Sequence, residues 1–260
     1  MNNLFKRIKS MLSVDIRRMF TMPLIYILVG SVFVMPILIL VMTTAFDGQT
    51  TVNPSTGVET TIQGFENVWQ IISSLSTADS MSMDMTSMCN LNLLYFIVAV
   101  LVCIFISDDF RSGYAKNLFT TRAKKSEYVI SKTITCFIGG SLMIIAFFMG
   151  SMIGGAIAGL SFDLGNLSIT NVVMCLISKI FLMLVFVGIY TVMSVIAKSK
   201  LWLSMCLSFG VSMFLFMMIP MLSPLDATIM NVILALVGGV IFSVGLGYVS
   251  NLILNKTNIL

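Results

Sequence analysis

The sequence predicts an all-α membrane protein with six transmembrane helices, an N-terminal amphipathic helix at the interface and both termini in the cytosol. Hydrophobic residues make up 58% of the 260 residues and charged residues only 10%, whereas an average soluble domain carries about 25% charged residues. Six apolar runs approach or exceed the roughly 20 residues that a helix needs to cross a bilayer. The basic residues fall almost entirely on one side of these runs, as expected of a polytopic membrane protein.

Residues 1–22 form the first predicted region, an amphipathic helix in the inner membrane interface. Its apolar residues recur at helical spacing, and its basic residues lie mostly on the other faces, toward anionic headgroups. A signal peptide is the alternative, but the basic region is too long and no small-residue cleavage site ends the following apolar run. The basic residues are Lys6, Arg7, Lys9, Arg17 and Arg18.

The remaining residues, 23–260, are predicted to form one transmembrane domain. After the first span, residues 46–90 form a large outer loop. Apolar residues at helical spacing near Trp69 predict a short amphipathic helix there, with Trp69 as an interfacial anchor, and contact with a substrate is the alternative. The predicted spans are residues 24–45, 91–107, 133–160, 172–197, 201–222 and 228–254, the fifth broken near Pro220 and Pro224.

Small residues at helical spacing mark surfaces where membrane helices approach closely. The pairs Gly150/Gly154 and Gly155/Gly159 have the small-xxx-small spacing. A second stripe, Gly239, Ser243 and Gly247, lies in the last span. Both patterns predict helix packing and indicate no activity.

Lys179 is the one basic residue predicted to lie within a span. Its position near the outer end of the fourth span predicts that the side chain extends to the interface. A buried functional lysine is the sharper alternative, because a charge within the membrane is costly and usually functional.

The charge distribution predicts the orientation. With both termini, the loop at 108–132 and the turn at 198–200 inside, 14 of the 15 Lys and Arg residues are cytosolic, and seven of the 11 acidic residues are outside. The opposite orientation would violate the positive-inside rule almost completely.

Several kinds of chemistry are absent from the sequence. It contains no histidine and no G-x-x-x-x-G-K-[ST] or H-E-x-x-H motif. The cysteines form no spacing motif, and the predicted spans hold no paired carboxylates, so we expect no metal site, no cofactor and no intramembrane enzyme. No basic run continues into an aromatic-interleaved groove, which argues against binding nucleic acid. Any driving energy is therefore expected to come from outside the chain.

The charged loop at 108–132 carries the most informative pattern. Asp109 is followed by Gly113, a short helical segment from Tyr114 to Phe119, and a basic turn at 122–125. With the six spans, the amphipathic N-terminus and the large outer loop, this pattern resembles the permease subunits of type-2 ATP-binding-cassette exporters. That family often has proline in the basic turn, and this sequence has none there.

The resemblance implies a multi-pass permease in the cell membrane, with the bacterial cytoplasmic membrane as the expected location. It implies a cytosolic ATP-binding-cassette ATPase subunit as partner, a second permease copy or homologue, and contact with membrane lipid. The expected function is export of an amphipathic or apolar substrate, such as a peptide, an antibiotic or a lipid-like molecule. ATP hydrolysis is expected on the separate subunit. The alternative is a non-transporting membrane interaction or immunity protein.

The loop itself is suited to coupling the chain to that ATPase. Gly113 can end the second span's helix and redirect the chain. A short helix would then place Tyr114, Leu118 and Thr121 on one face for a partner's groove, with charged residues fixing it. A solvated loop without a partner is the alternative. The predicted coupling residues are Asp109, Arg111, Gly113, Tyr114, Lys116, Asn117, Leu118, Thr121, Arg122 and Lys125.

Overall fold

The protein is seen in a computed structural model as a bundle of long helices. Its helices are α1 (Asn2–Thr21), α2 (Pro23–Ala45), α3 (Leu94–Arg111), α4 (Tyr114–Thr120), α5 (Lys125–Ala158), α6 (Ile169–Ala197), α7 (Leu201–Phe216), α8 (Ile219–Leu222) and α9 (Ile229–Lys256). The structure describes residues 2–52, 59–61, 64–73, 90–120, 124–165, 167–216 and 219–256.

Within the part of the chain that the structure describes, five helical segments are long and apolar enough to cross a membrane, so the chain is a multi-pass membrane protein. The predicted fifth span, residues 201–222, is divided into α7 with 16 residues and the short α8. α7 alone is shorter than the roughly 20 residues that a crossing requires. The five segments are Pro23–Ala45, Leu91–Arg111, Lys125–Ala158, Ile169–Ala197 and Ile229–Lys256.

The N-terminal helix α1 has the predicted amphipathic character. Met11, Asp15 and Met19 are buried at spacings of four residues, on the face that packs against α5. Arg17 and the basic residues near the start of the helix are exposed. The buried face of α1 is therefore covered by protein, while its opposite face remains polar.

The loop between α2 and α3 differs from the prediction. It contains a small antiparallel hairpin, β1 (Thr50–Val52) with β2 (Glu59–Thr61). The expected interfacial helix is a 3₁₀ turn, Val68–Ile71, preceded by Asn67, whose side chain accepts from the Trp69 amide. Its apolar side chains are buried in the protein core, which explains their helical spacing without a membrane surface.

Trp69 is half-buried, and its indole donates to the carbonyl of Phe162 at 3.1 Å. The residue thus joins this turn to the connection between α5 and α6. Leu75, which continues the helical spacing of apolar residues around Trp69 in the sequence, lies outside the described residues.

The glycine patterns have the predicted packing role at most positions. A Cβ on Gly150 would collide with the carbonyl of Phe33, and one on Gly154 would lie 2.8 Å from Cα of Ile37, so α2 and α5 pack backbone to backbone. In α9, a Cβ on Gly239 would lie 2.7 Å from the carbonyl oxygen of Phe181 in α6. Gly159 instead ends α5 with a left-handed φ of 69°.

The two ends of the bundle differ in chemistry. At one end, α1, α4, the start of α5 and the end of α9 come together, and we call this the charged end. There the Lys125 ammonium donates to the carbonyl of Leu254 at 2.6 Å, and Met11, Tyr128, Val195 and Leu254 form a small apolar cluster. The opposite end carries the described parts of the connection between α2 and α3, and we call it the loop end.

Candidate functional site

The segment 108–132 lies at the charged end and is built from three elements. α3 continues through Asp108 and Asp109 to Arg111, and the separate helix α4 begins at Tyr114. Gly113 joins them with a φ of 75°, a left-handed conformation that favours glycine, as the sequence predicted. Lys124 then precedes α5.

Four charged side chains from α1, α3 and α5 meet beneath α4. We call Asp15, Arg18, Asp109 and Lys132 the charge cluster. The Lys132 ammonium lies 2.8 Å from one oxygen of Asp15 and 2.7 Å from Oδ2 of Asp109. Nη1 of Arg18 lies 2.9 Å from Oδ1 of Asp109. The formal charges cancel, so the cluster is neutral as a whole.

Hydroxyl groups also donate hydrogen bonds to the carboxylates of Asp15 and Asp109. Tyr128 donates to Asp109 at 3.0 Å, and Ser131 donates to Asp15 at 2.6 Å. Each carboxylate therefore accepts hydrogen bonds from both a cation and a neutral donor. This satisfies the condition under which charges are tolerated in a protein interior.

Aromatic rings cover the two cations. The Arg18 guanidinium lies 4.0 Å from the ring centre of Tyr114, and the Lys132 ammonium lies 3.9 Å from that of Phe105. Such cation–π contacts contribute about 0.5–2 kcal/mol, more when they are shielded from water. Through Arg18, the first residue of α4 is attached directly to α1.

Three of the four side chains in the charge cluster are shielded from solvent. Asp15, Asp109 and Lys132 are fully buried, whereas the Arg18 side chain keeps 27% of its exposure. Burial alone would lower the pKa of Arg18, but the Asp109 carboxylate and Tyr114 raise the pKa above its usual value. Arg18 therefore remains protonated.

Asp109, the acidic residue of the predicted coupling loop, lies inside the protein. It is fully buried and bonded within the chain. Its physical task is to hold α1, α3 and α5 together below the loop.

The short helix α4 has one face toward the chain and one toward solvent. Tyr114 and Leu118 are half-buried; Tyr114 lies against Arg18, and Leu118 packs on the apolar cluster around Tyr128. Both side chains therefore contact the chain itself. The residues of α4 exposed to solvent are Lys116, Asn117 and Thr120.

The other predicted coupling residues have separate positions. Arg111 is exposed at the end of α3, close to α4 in sequence. Lys125 is half-buried and attached to the end of α9 through the carbonyl of Leu254. Thr121 and Arg122 lie outside the described residues.

Sequence reasoning missed three members of the charge cluster. Lys132 was counted only as a basic residue of the loop, and Asp15 and Arg18 belong to the N-terminal helix. One signal was available, because Asp15 lies four residues from both Met11 and Met19 on the apolar face of α1. An acidic residue on such a face indicates a buried cationic partner.

Lys179 also differs from the prediction. Its side chain does not extend to the interface but is fully buried near the loop end. The ammonium donates to Oδ1 of Asn92 at 2.9 Å and to the Ser223 hydroxyl at 3.0 Å. Since Lys179 is far from α4 in the fold, it forms a second polar site.

Comparison with known proteins agrees with the architecture. A family model described as an ABC-2 family transporter protein matches residues 21–216, which include all of α2 to α7. No curated protein and no solved structure matches the chain.

Proposed function

Because the chain belongs to the ABC-2 family of transporter proteins, we propose that it is the permease subunit of an exporter driven by a separate ATP-binding-cassette ATPase. Permeases of this family generally pair with such a subunit. The observation that carries the proposal is the attachment of α4 to the membrane helices through the charge cluster. A displacement of α4 is transmitted to the membrane helices through these contacts.

We propose that the exposed face of α4 is the docking surface for the ATPase. Lys116, Asn117 and Thr120 are exposed there, and Arg111 extends the surface at the end of α3. A polar and basic surface fits an acidic groove on a partner and favours rapid, specific association.

The inner face of α4 transmits the movement. Phe119 packs edge-on against Tyr128 with ring centres 5.4 Å apart, and Tyr128 donates to Asp109. Displacing α4 therefore moves α3 and α5 together, because their ends share the charge cluster. α3 packs against α6 and α7, and α5 packs against α2, so the displacement reaches most of the bundle.

The proposed orientation places the charged end in the cytosol, because the basic residues are concentrated there. Under this orientation α7 and α8 together form the fifth of six crossings. The chain is then half of a transporter, completed by a second copy or a homologue. Anionic lipid lies along the exposed basic face of α1.

We propose export of an amphipathic or apolar substrate, of the peptide, antibiotic or lipid-like class. The membrane-facing surface is strongly apolar, and the sequence lacks the motif of a P-loop ATPase. The energy for transport therefore comes from ATP hydrolysis on the partner.

Co-expression with candidate ATP-binding-cassette ATPases from the same genome tests the proposal. We expect the two proteins to purify as a complex and to hydrolyse ATP together in liposomes, with efflux of the substrate. The purified chain alone should hydrolyse no ATP. ATP hydrolysis by the isolated chain, or energised uptake without efflux in vesicles of known orientation, would contradict the proposal.

A further inference from the structure

Lys179 is a buried cation whose hydrogen-bond partners are both neutral. It is fully buried and donates to the Asn92 amide oxygen and the Ser223 hydroxyl. No carboxylate of the described ranges lies within 4.0 Å of its nitrogen. Lys132 gives the contrast within the same chain, because it is equally buried but contacts two carboxylates at 2.8 and 2.7 Å.

This difference calls for an explanation, because an uncompensated buried charge is among the most unfavourable features of a protein interior. Inside a membrane domain such a group is usually retained for function. An anion that accepts a hydrogen bond from Lys179 would compensate this charge, and no carboxylate of the described residues is close enough to do so.

Donor groups next to Lys179 also lack acceptors. A lysine ammonium has three donor hydrogens, and that of Lys179 uses two of them to donate to Asn92 and Ser223. Asn92 is 1% exposed, and its Nδ2 has no hydrogen-bond partner within the described part of the chain. Because Nδ2 and Oδ1 belong to one amide, this free donor is adjacent to the atom that Lys179 binds. One oxygen anion could accept from both groups, which is the arrangement that binds carboxylate or phosphate.

Three connections at the loop end enclose these donors. The 3₁₀ turn Leu91–Leu93 carries Asn92, and the residue after α8 is Ser223. The Ser73 hydroxyl donates to the Ser223 carbonyl at 3.0 Å and holds this connection in place. Buried apolar residues of the same connections, including Ile72, Leu91 and Leu225, belong to the core cluster here.

We propose that Lys179 and Asn92 bind the anionic head of an amphiphile, a carboxylate or a phosphate, at the loop end of the bundle. The apolar residues of the connections suit the tail of such a molecule. Entry requires the Ser223 connection to separate from Lys179, so the present conformation is a closed state. That this amphiphile is the transported substrate rests on the proposed function, but its binding does not.

Binding to the purified chain in phosphatidylcholine nanodiscs tests the inference without any ATPase. The probes share one alkyl tail and differ in the head: laurate, dodecyl phosphate, dodecylamine and dodecyl maltoside. We expect the two anions to bind preferentially, and Lys179→Gln to weaken their binding by about ten- to a hundred-fold. Lys200→Gln, at an exposed lysine, serves as the control and should leave binding unchanged.

The variant Asn92→Asp distinguishes a ligand site from a structural lysine. It places a carboxylate beside the ammonium and so supplies the missing anion from within the chain. We expect a higher melting temperature and loss of binding to laurate and dodecyl phosphate. Because this variant is stabilised, failure to fold does not obscure the result.

Three outcomes would overturn the inference. The first is equal affinity for the anionic and neutral probes. The second is anion binding that survives both Lys179→Gln and Asn92→Asp. The third is binding of inorganic phosphate that is as tight as binding of dodecyl phosphate. Lys179-dependent binding without ATP-driven transport would count against the proposed function alone. ATP-driven transport with no role for Lys179 would count against this inference alone.

Discussion

Asp109 and Lys132 form a buried salt bridge of 2.7 Å that joins the two ends of the 108–132 segment. Asp109 belongs to the last turn of α3, and Lys132 to the third turn of α5. The intervening helix α4 is thereby held between two fixed points. This geometry explains how a segment of high charge density is attached firmly to an apolar bundle.

The first prediction concerns the stability that this salt bridge provides. Asp109→Asn leaves two cations, the half-buried Arg18 and the buried Lys132, with one carboxylate. Breaking one side of a buried ion pair costs about 3–5 kcal/mol, so we expect a large fall in the free energy of unfolding, measured by thermal or denaturant unfolding in micelles. The double variant Asp109→Asn with Lys132→Met removes one charge of each sign and should recover part of the loss.

Asp108→Asn is the matched control, because Asp108 is half-buried and belongs to no salt bridge among the described residues. Its effect should remain within about 0.5 kcal/mol. If Asp109→Asn unfolds no more easily than Asp108→Asn, the charge cluster does not stabilise the charged end.

The second prediction concerns the contact between α2 and α5. Gly150→Ala would bring a methyl group into the Phe33 carbonyl, and overpacking of this kind costs about 1–3 kcal/mol. Gly238→Ala in α9 is the control, since a Cβ there meets nothing within 4 Å. A melting temperature of Gly150→Ala at or above that of Gly238→Ala would show that α2 and α5 do not pack this closely.

Patterns within one segment were readable from the sequence, and contacts between distant segments were not. Hydropathy located the long helices, Gly113 marked the turn after α3, and Gly150 marked a close approach of helices. The charge cluster was not predictable as a whole, since Arg18 and Asp109 are 91 residues apart. A single sequence does not show which of several buried charges will meet.

The surroundings of the apolar face of α4 were not readable from the sequence for a related reason. Helical spacing correctly grouped Tyr114 and Leu118 on one side of α4, but spacing does not show whether that side meets a partner or the chain itself. The same ambiguity applied to the residues around Trp69, which pack inside the protein. For Lys179, the sequence indicated a choice between interface and interior, and only the three-dimensional packing decided it.

The third prediction concerns orientation and uses exposed serines at both ends of the bundle. In a background whose cysteines are replaced by serine, Ser168→Cys should react with a membrane-impermeant thiol reagent in intact cells. Ser112→Cys and Ser199→Cys should react only after the membrane is opened. All three side chains are exposed, so a difference in labelling reports the side of the membrane. Labelling of Ser112→Cys in intact cells would exclude a cytosolic coupling loop.

The fourth prediction separates docking on α4 from the packing of α4. Lys116 is exposed on the proposed docking surface, whereas Leu118 is half-buried against the chain's own apolar cluster. Lys116→Glu should weaken association with the ATPase by about three- to ten-fold, because an exposed ion pair contributes up to about 1 kcal/mol and reversal adds repulsion. Its melting temperature should be unchanged.

Leu118→Asp should behave in the opposite way. It places a carboxylate against Tyr128 and its neighbours, so we expect a loss of about 1–3 kcal/mol in unfolding free energy. Coupled ATPase activity should fall as well, because α4 loses its attachment to the bundle. Lys200→Glu, a charge reversal at an exposed lysine outside α4, should change neither stability nor association.

If Lys116→Glu and Lys200→Glu associate with the ATPase equally well, the exposed face of α4 is not the docking surface. If Leu118→Asp retains wild-type stability and transport, the inner face of α4 does not transmit movement to the membrane helices.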